Sequence, residues 1–206
     1  MAAMMAGPLT LSFAPSATLA PRSTAVRAAT PMMAKSEALP FLEAPVHCDG
    51  TYSGDVGFDP FNFGGLYNIK WMREAEIKHG RVCMLAFLGY VAVDAGIRMP
   101  YAPAVSSLAA HDVTVKGGQM LLLLFVVGAF EALSYSAIAE MMSGETDREP
   151  GDYGIDWKFC KKGDTATQAK YRLAEITHCR AAMIGFSGLV TQAALTEGPF
   201  PYNVLP

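Results

Sequence analysis

The sequence predicts an all-α membrane protein of three transmembrane helices, the first and third related by internal duplication and crossing each other. Three observations lead there. Of 206 residues, 51% are hydrophobic and only 17% charged, which is apolar for a soluble domain of this length. Three separate stretches carry few charges over more than 20 residues, enough for a helix rising 1.5 Å per residue to cross a hydrocarbon core of roughly 30 Å. Finally, Glu76-Ile77-Lys78-His79-Gly80-Arg81 recurs as Glu175-Ile176-Thr177-His178-Cys179-Arg180, each copy at the start of an apolar run.

The chain opens with a leader. Its first 36 residues hold no Asp or Glu but carry Arg22, Arg27 and Lys35 among many Ala, Ser and Thr, the composition of an organelle transit peptide. Residues 1–34 are accordingly expected to be removed near Met32-Met33-Ala34, leaving 35–206 as one domain. The net charge of −3 and the lack of a basic cluster with interleaved aromatics exclude nucleic acid as a partner. Cys48, Cys83, Cys160 and Cys179 form no C-x-x-C pair, so neither a disulfide framework nor a zinc site is expected.

From Glu43 to Gly65 the chain is rich in Gly, Pro and Asp and reads as loop and turns. The first span follows from Trp71 to about Ile97, where Asp94 is the only acidic or basic residue between Arg81 and the end, and Met99-Pro100 is the expected stop. A short loop through His111 and Lys116 leads to Gly117-Gly118. The second span, Met120 to Met142, is apolar except for Glu131 and Glu140 and has the strongest hydropathy of the chain. A polar loop from Ser143 to Gly151 precedes the third span, Tyr171 to Leu195, which Gly198-Pro199 should end.

Arg73–Gly89 and Arg172–Gly188 match at nine of seventeen positions, at an offset of 99. Ser53-Gly54-Asp55-Val56-Gly57-Phe58-Asp59-Pro60 is echoed by Pro150-Gly151-Asp152-Tyr153-Gly154-Ile155-Asp156-Trp157 at an offset of 97. Loop and helix were thus duplicated together, with one unpaired helix between the copies. Lys70, Arg73 and Lys78 precede the first span and Lys158, Lys161, Lys162, Lys170 and Arg172 the third, whereas the far side holds little beyond Arg98 and Lys116. The N-terminus is expected on the basic side, the side of insertion.

Glu, His and Arg at the mouth of a span are costly and point to function. On one helix, Glu and His three apart lie about 60° from each other, and Glu and Arg five apart about 140°. Each Arg reaches its own Glu poorly, so if the first and third spans cross at this level, Glu76 meets Arg180 and Glu175 meets Arg81. Burial of four charges is tolerable only with such pairing. A carboxylate oxygen that does not accept from Arg is free for a metal. Magnesium takes oxygen ligands, and within a porphyrin-like ring it needs one axial donor from protein, so single Glu, His and Gln residues can each hold one pigment.

At these residues the chain resembles the light-harvesting chlorophyll-binding antenna family. The likeness covers about 36–206 and rests on Gly57-Phe58-Asp59-Pro60, the Glu-x-x-His-x-Arg of the first span, and the same pattern with Ala182-Met183-Ile184-Gly185 in the third. It implies that Glu76, His79, Glu175 and His178 are chlorophyll magnesium ligands, that Arg81 and Arg180 are cross-helix charge partners, and that Gln192 is a further ligand. Gly128-Ala129-Phe130-Glu131 resembles the family's glutamate site in the second span, with no Arg of the repeats needed to neutralise Glu131. Leu122 and Leu123 stand where many relatives carry a Gln, and Gln119 lies a turn earlier. Leu39-Pro40-Phe41-Leu42, and a chain ending at Pro206 without an amphipathic fourth helix, are similar to the algal chlorophyll a/c branch. The resemblance then implies chlorophyll a, chlorophyll c and a fucoxanthin- or peridinin-type carotenoid, lying in grooves opened by Gly89, Gly185 and Gly188 with end groups near the two Asp loops. His47 and His111 are loop histidines, His111 a weak candidate ligand.

The expected function is absorption of light and transfer of excitation to a photosystem. The expected setting is the chloroplast thylakoid membrane, with lipids, a photosystem core and neighbouring antenna subunits as partners and the N-terminus on the stromal side. No enzyme chemistry is implied. A photoprotective, quenching member of the same superfamily needs the same ligands, and excited-state lifetime separates the two. A bis-histidine haem protein would require His79 and His178 to face one iron. A transporter would need broken helices or a polar path in the second span.

Overall fold

The computed structural model describes residues 35–98, 100, 102–154 and 165–202. The leader at 1–34, the last three residues of the 150–157 echo and the lysines at 158, 161 and 162 lie outside the described residues. Five helices follow one another: α1 (Phe63–Leu66), α2 (Ile69–Asp94), α3 (Ser107–Lys116), α4 (Gln119–Ser143) and α5 (Thr165–Thr196). The described β-structure is one isolated antiparallel bridge, Lys35 to Glu43.

Helix α2 starts where the Asn68 side chain accepts from the Lys70 N–H at 2.9 Å. It ends before Met99-Pro100, at a Schellman turn: Gly96 has φ +83°, its N–H bonds Val93 O, and the Ile97 N–H bonds Ala92 O. Helix α4 is framed by two left-handed glycines, Gly118 and Gly144. Helix α5 runs from Thr165, earlier than expected, to Thr196.

The stretch through His111 and Lys116, expected as loop, is the ten-residue helix α3. Its cap comes from elsewhere. The Ser106 side chain makes no capping bond, and Asp94 Oδ1 accepts from the Ser107 N–H at 3.1 Å. Asp94 Oδ2 accepts from the Phe200 N–H at 3.0 Å, so one carboxylate ties the end of α2 to α3 and to the segment after α5. Nearby, the Tyr202 hydroxyl donates to Leu189 O at 3.2 Å, and Tyr90 meets Phe186 edge-on.

The core lies where α2 crosses α5. Ile77, Ile176 and Cys179 are buried together, with Met84 packed against them. Ile77 and Ile176 are equivalent in the 99-residue offset, as are Gly80 and Cys179. A Cβ built on Gly80 would stand 2.8 Å from the Cys179 Cα, so only glycine permits this approach. The loops pack crosswise. Gly54, in the loop before α2, lies against Ile176 of α5, and Gly151, in the loop before α5, lies against Ile77 of α2. A Cβ at either would meet the isoleucine at 2.8 Å, and both glycines have positive φ.

Helix α4 is nearly bare, with Met141 its one buried residue. Asn68 Nδ2 and Lys70 Nζ donate to the Met142 and Met141 carbonyls at 3.3 and 3.4 Å, holding its end to α2. Among the described residues it alone is long and apolar enough to cross a membrane by composition. Helices α2 and α5 have the length, 26 and 32 residues, but carry the charges of the repeated motif in their first halves.

Candidate functional site

At the crossing, Arg81 Nε donates to Glu175 Oε1 and Arg180 Nε to Glu76 Oε1, both at 2.7 Å. These side chains are about a third exposed. Arg180 Nη1 also donates to Gly54 O at 2.7 Å, tying the first loop to α5. Arg73, three residues before Glu76 and buried, donates to Glu76 Oε2 at 2.7 Å and to Ser53 O. Its equivalent, Arg172, pairs with Glu149.

Sequence reasoning missed Glu74. It is buried at 2% exposure and accepts from Arg148 Nη2 at 3.3 Å, from the Gly151 N–H and from the Tyr153 hydroxyl at 3.3 Å. Arg148 and Arg81 both lie over the Tyr153 ring, 5.3 and 5.5 Å from its centroid. The second copy has Leu173 at the place equivalent to Glu74, so the repeat gave no signal.

Both histidines of the motif are exposed and held alike. His79 Nδ1 lies 2.8 Å from Ala75 O and His178 Nδ1 2.6 Å from Ala174 O. A carbonyl only accepts, so each Nδ1 carries a proton and each ring turns Nε2, the atom a metal would take, away from its own backbone. The carbonyl four residues back is the partner of each ring, and it sets the tautomer a metal ligand requires.

No Arg of the repeats was expected to neutralise Glu131, and its partner is a lysine that the sequence reading did not foresee. Lys78 of α2 donates to Glu131 Oε2, which neutralises the carboxylate and leaves Oε1. The second copy has Thr177 where Lys78 stands, which hid this pairing. Gln192 is exposed on α5, where its backbone carbonyl accepts from Thr196. Exposed His111 pairs with the neighbouring Asp112 at 3.1 Å. Among the described residues no three His, Cys, Asp or Glu side chains converge on one point, so Glu76, His79, Glu131, Glu175, His178 and Gln192 stand as separate single donors.

Two clefts flank the crossing, and the helix residues named below that line them correspond at an offset of 99. The smaller, about 580 Å³, lies between the first loop and Ile69, Met72, Arg73 and Glu76 of α2, closed by Arg180. The larger, about 970 Å³, lies between the second loop and Gln168, Tyr171, Arg172 and Glu175 of α5, closed by Arg81. Every one of these contacts maps onto its counterpart by 99 residues. In the first loop His47, expected only as a loop residue, bonds Asp59 Oδ2 at 2.8 Å. Burial raises the Asp59 pKa, but the Gly64 and Phe63 N–H groups and His47 outweigh it and hold the carboxyl below its ordinary 3.8. Burial, then the carboxylates of Asp55, Asp59 and Asp49, push the Cys48 thiol up to about 11, which keeps it protonated and unreactive.

Helices that expose so much apolar surface, with single donors aimed outward from a charge-balanced crossing, suit a protein that wraps itself in pigment. A family model described as chlorophyll A-B binding protein matches residues 44–194. Fucoxanthin-chlorophyll a-c binding protein D of Phaeodactylum tricornutum is 33% identical over 159 residues, covering 70% of this chain and 77% of that relative. The light-harvesting complex stress-related protein 3.2 of Chlamydomonas reinhardtii is 30% identical over 191 residues, covering 86% and 71%. Chlorophyll a-b binding protein 1 of Prasiola crispa is 29% identical, and the match spans 75% of this chain but 54% of that relative. The chain belongs to the chlorophyll A-B binding protein family. That is a light-harvesting antenna family and not a family of enzymes.

Proposed function

We propose that this chain is a three-span thylakoid antenna of the algal chlorophyll a/c branch. In this reading Glu76, His79, Glu131, Glu175, His178 and Gln192 each give one axial ligand to a chlorophyll magnesium. The observation that carries it is the matched pair of histidines, each with Nδ1 held by its own helix and Nε2, among the described residues, without a partner on an exposed face. Bound chlorophyll supplies light absorption and excitation transfer. The chain's own residues fix positions: Arg81 and Arg180 neutralise the glutamates across the crossing, and Lys78 neutralises Glu131.

Cross-pairing also supports α2 and α5 as spans, because it removes the net charge that sets them apart from α4 in hydropathy. The 99-residue equivalence of core, clefts and charge pairs supports duplication. The two clefts suit carotenoid end groups, and likeness to the Phaeodactylum protein supports fucoxanthin-type carotenoid and chlorophyll c. Residues 1–34 act as the plastid leader, the N-terminus is stromal, and a photosystem core, neighbouring antenna subunits and thylakoid lipids are the partners. Likeness to the Chlamydomonas stress-related protein favours a quenching role as the second reading.

Reconstitution of the full chain with chlorophylls a and c and carotenoids, followed by pigment extraction, tests the proposal. Both pigment classes should remain bound in fixed ratio, and His79→Leu and His178→Leu should each lose one chlorophyll. Unchanged pigment in both variants overturns the ligand reading. A strongly shortened excited-state lifetime would assign the quenching role instead of harvesting.

A further inference from the structure

The duplication brings the two glutamates of the crossing to equivalent places, yet their carboxylates are not equivalent. Glu76 has both oxygens engaged, Oε1 by Arg180 and Oε2 by Arg73, each at 2.7 Å. Glu175 accepts from Arg81 through Oε1, and among the described residues its Oε2 takes no hydrogen bond. Arg172 stands to Glu175 as Arg73 stands to Glu76, three residues earlier, but it is turned to Glu149. The loops make the difference. In the 97-residue offset of the loops, Tyr52 and Glu149 occupy the same place. The Tyr52 ring lies under Arg73, 5.8 Å from ring centroid to guanidinium carbon. A ring has no oxygen in its face to take the guanidinium N–H groups, so Arg73 keeps them for Glu76 and Ser53 O. Glu149 is a carboxylate, and it takes those of Arg172.

We propose that the side chains at positions 52 and 149 set the ligand strength of the two glutamates. Glu149 holds Arg172 away and keeps one oxygen of Glu175 open to magnesium, whereas Tyr52 leaves Glu76 braced by two guanidinium groups and a weaker donor. This rests on the reading that both glutamates are magnesium ligands. An oxygen accepting a charge-assisted N–H has less electron density to give a second cation, and a second guanidinium adds repulsion. Chlorophyll on Glu175 is therefore held more tightly than chlorophyll on Glu76, although the sequence motif around the two is nearly the same.

The test is the rate of chlorophyll loss from each site after dilution of the reconstituted full chain into detergent. Glu76→Leu and Glu175→Leu identify each site by the absorption band they remove. Glu149→Gln should release Arg172 to Glu175 and speed loss from that site roughly fivefold to tenfold, about what one ordinary hydrogen bond is worth on a partly exposed side chain. Adding Arg172→Gln to Glu149→Gln should restore the slow rate, a rescue that a merely structural role for Glu149 does not give. Arg73→Gln should slow loss from the Glu76 site. If the two reference variants each lose one chlorophyll while Glu149→Gln leaves both rates unchanged, the inference fails and the ligand reading stands. If neither reference variant loses a chlorophyll, the ligand reading fails and the inference with it.

Discussion

Gly80 of α2 rests on Cys179 of α5, and the two occupy the same place in the duplicated motif. The helices therefore cross on the local symmetry axis, where each copy presents the same position to the other and only one of the two can carry a side chain. Gly80→Ala should cost about 1 to 3 kcal/mol through overpacking and reduce assembly. Adding Cys179→Gly removes the contacts with the cysteine side chain but leaves its Cα 2.8 Å from the new methyl, so only part of the loss should be recovered. Yield of pigmented protein in reconstitution measures both; full yield from Gly80→Ala alone would show that α2 and α5 do not meet at this position.

Arg81→Leu strands Glu175 at the crossing. Because these side chains are about a third exposed, the loss should be about 1 to 3 kcal/mol, below that for a fully buried pair. Removing the stranded charge with Glu175→Leu as well should restore thermal stability in part, while the chlorophyll proposed for that glutamate should be lost. Losses in the two single variants that simply add in the double variant would mean no coupling between the residues.

At Glu131 the expected result is set by Lys78. Glu131→Leu leaves the ammonium of Lys78 without its partner, so that variant should lose both a chlorophyll and stability. Lys78→Met with Glu131→Leu should regain the stability but not the pigment. A melting curve followed by chlorophyll circular dichroism separates the two effects.

The Asp59 contacts of the first loop should hold until strongly acid pH. The Asp59 pKa is lower in the folded chain than its ordinary 3.8, so its bonds to the Phe63 and Gly64 N–H groups contribute fully above 3.8. That contribution is lost as pH falls through the still lower folded value. Proteolysis within residues 55–66 should rise as pH falls below about 4. Asp59→Ala should show the raised cleavage at every pH, with a cost of about 1 kcal/mol, as for a lost helix cap.

Much of this arrangement is legible in the sequence because it rests on residue type and helical angle. A Glu and an Arg five residues apart face different ways on one helix, so a second copy of the motif supplies the partner. What stayed hidden breaks the repeat or acts over distance. Glu74 and Lys78 face Leu173 and Thr177 in the other copy, so comparison of the copies passes over them. Helix α3 could not be read from Ser106 because its capping group, Asp94, lies 13 residues before Ser107. The stop of α2 went to Pro100 in the sequence because that proline is conspicuous, while Gly96 ends the helix by adopting φ +83°.

The partnership of Arg73 with Glu76 also makes the two helices unequal in what each provides for itself. Arg180 lies 104 residues after Glu76, whereas Arg73 is one turn away on the same helix, so α2 supplies a cation to its own glutamate. The second copy does not: Arg172 goes to Glu149, and the cation on Glu175 is Arg81 of α2.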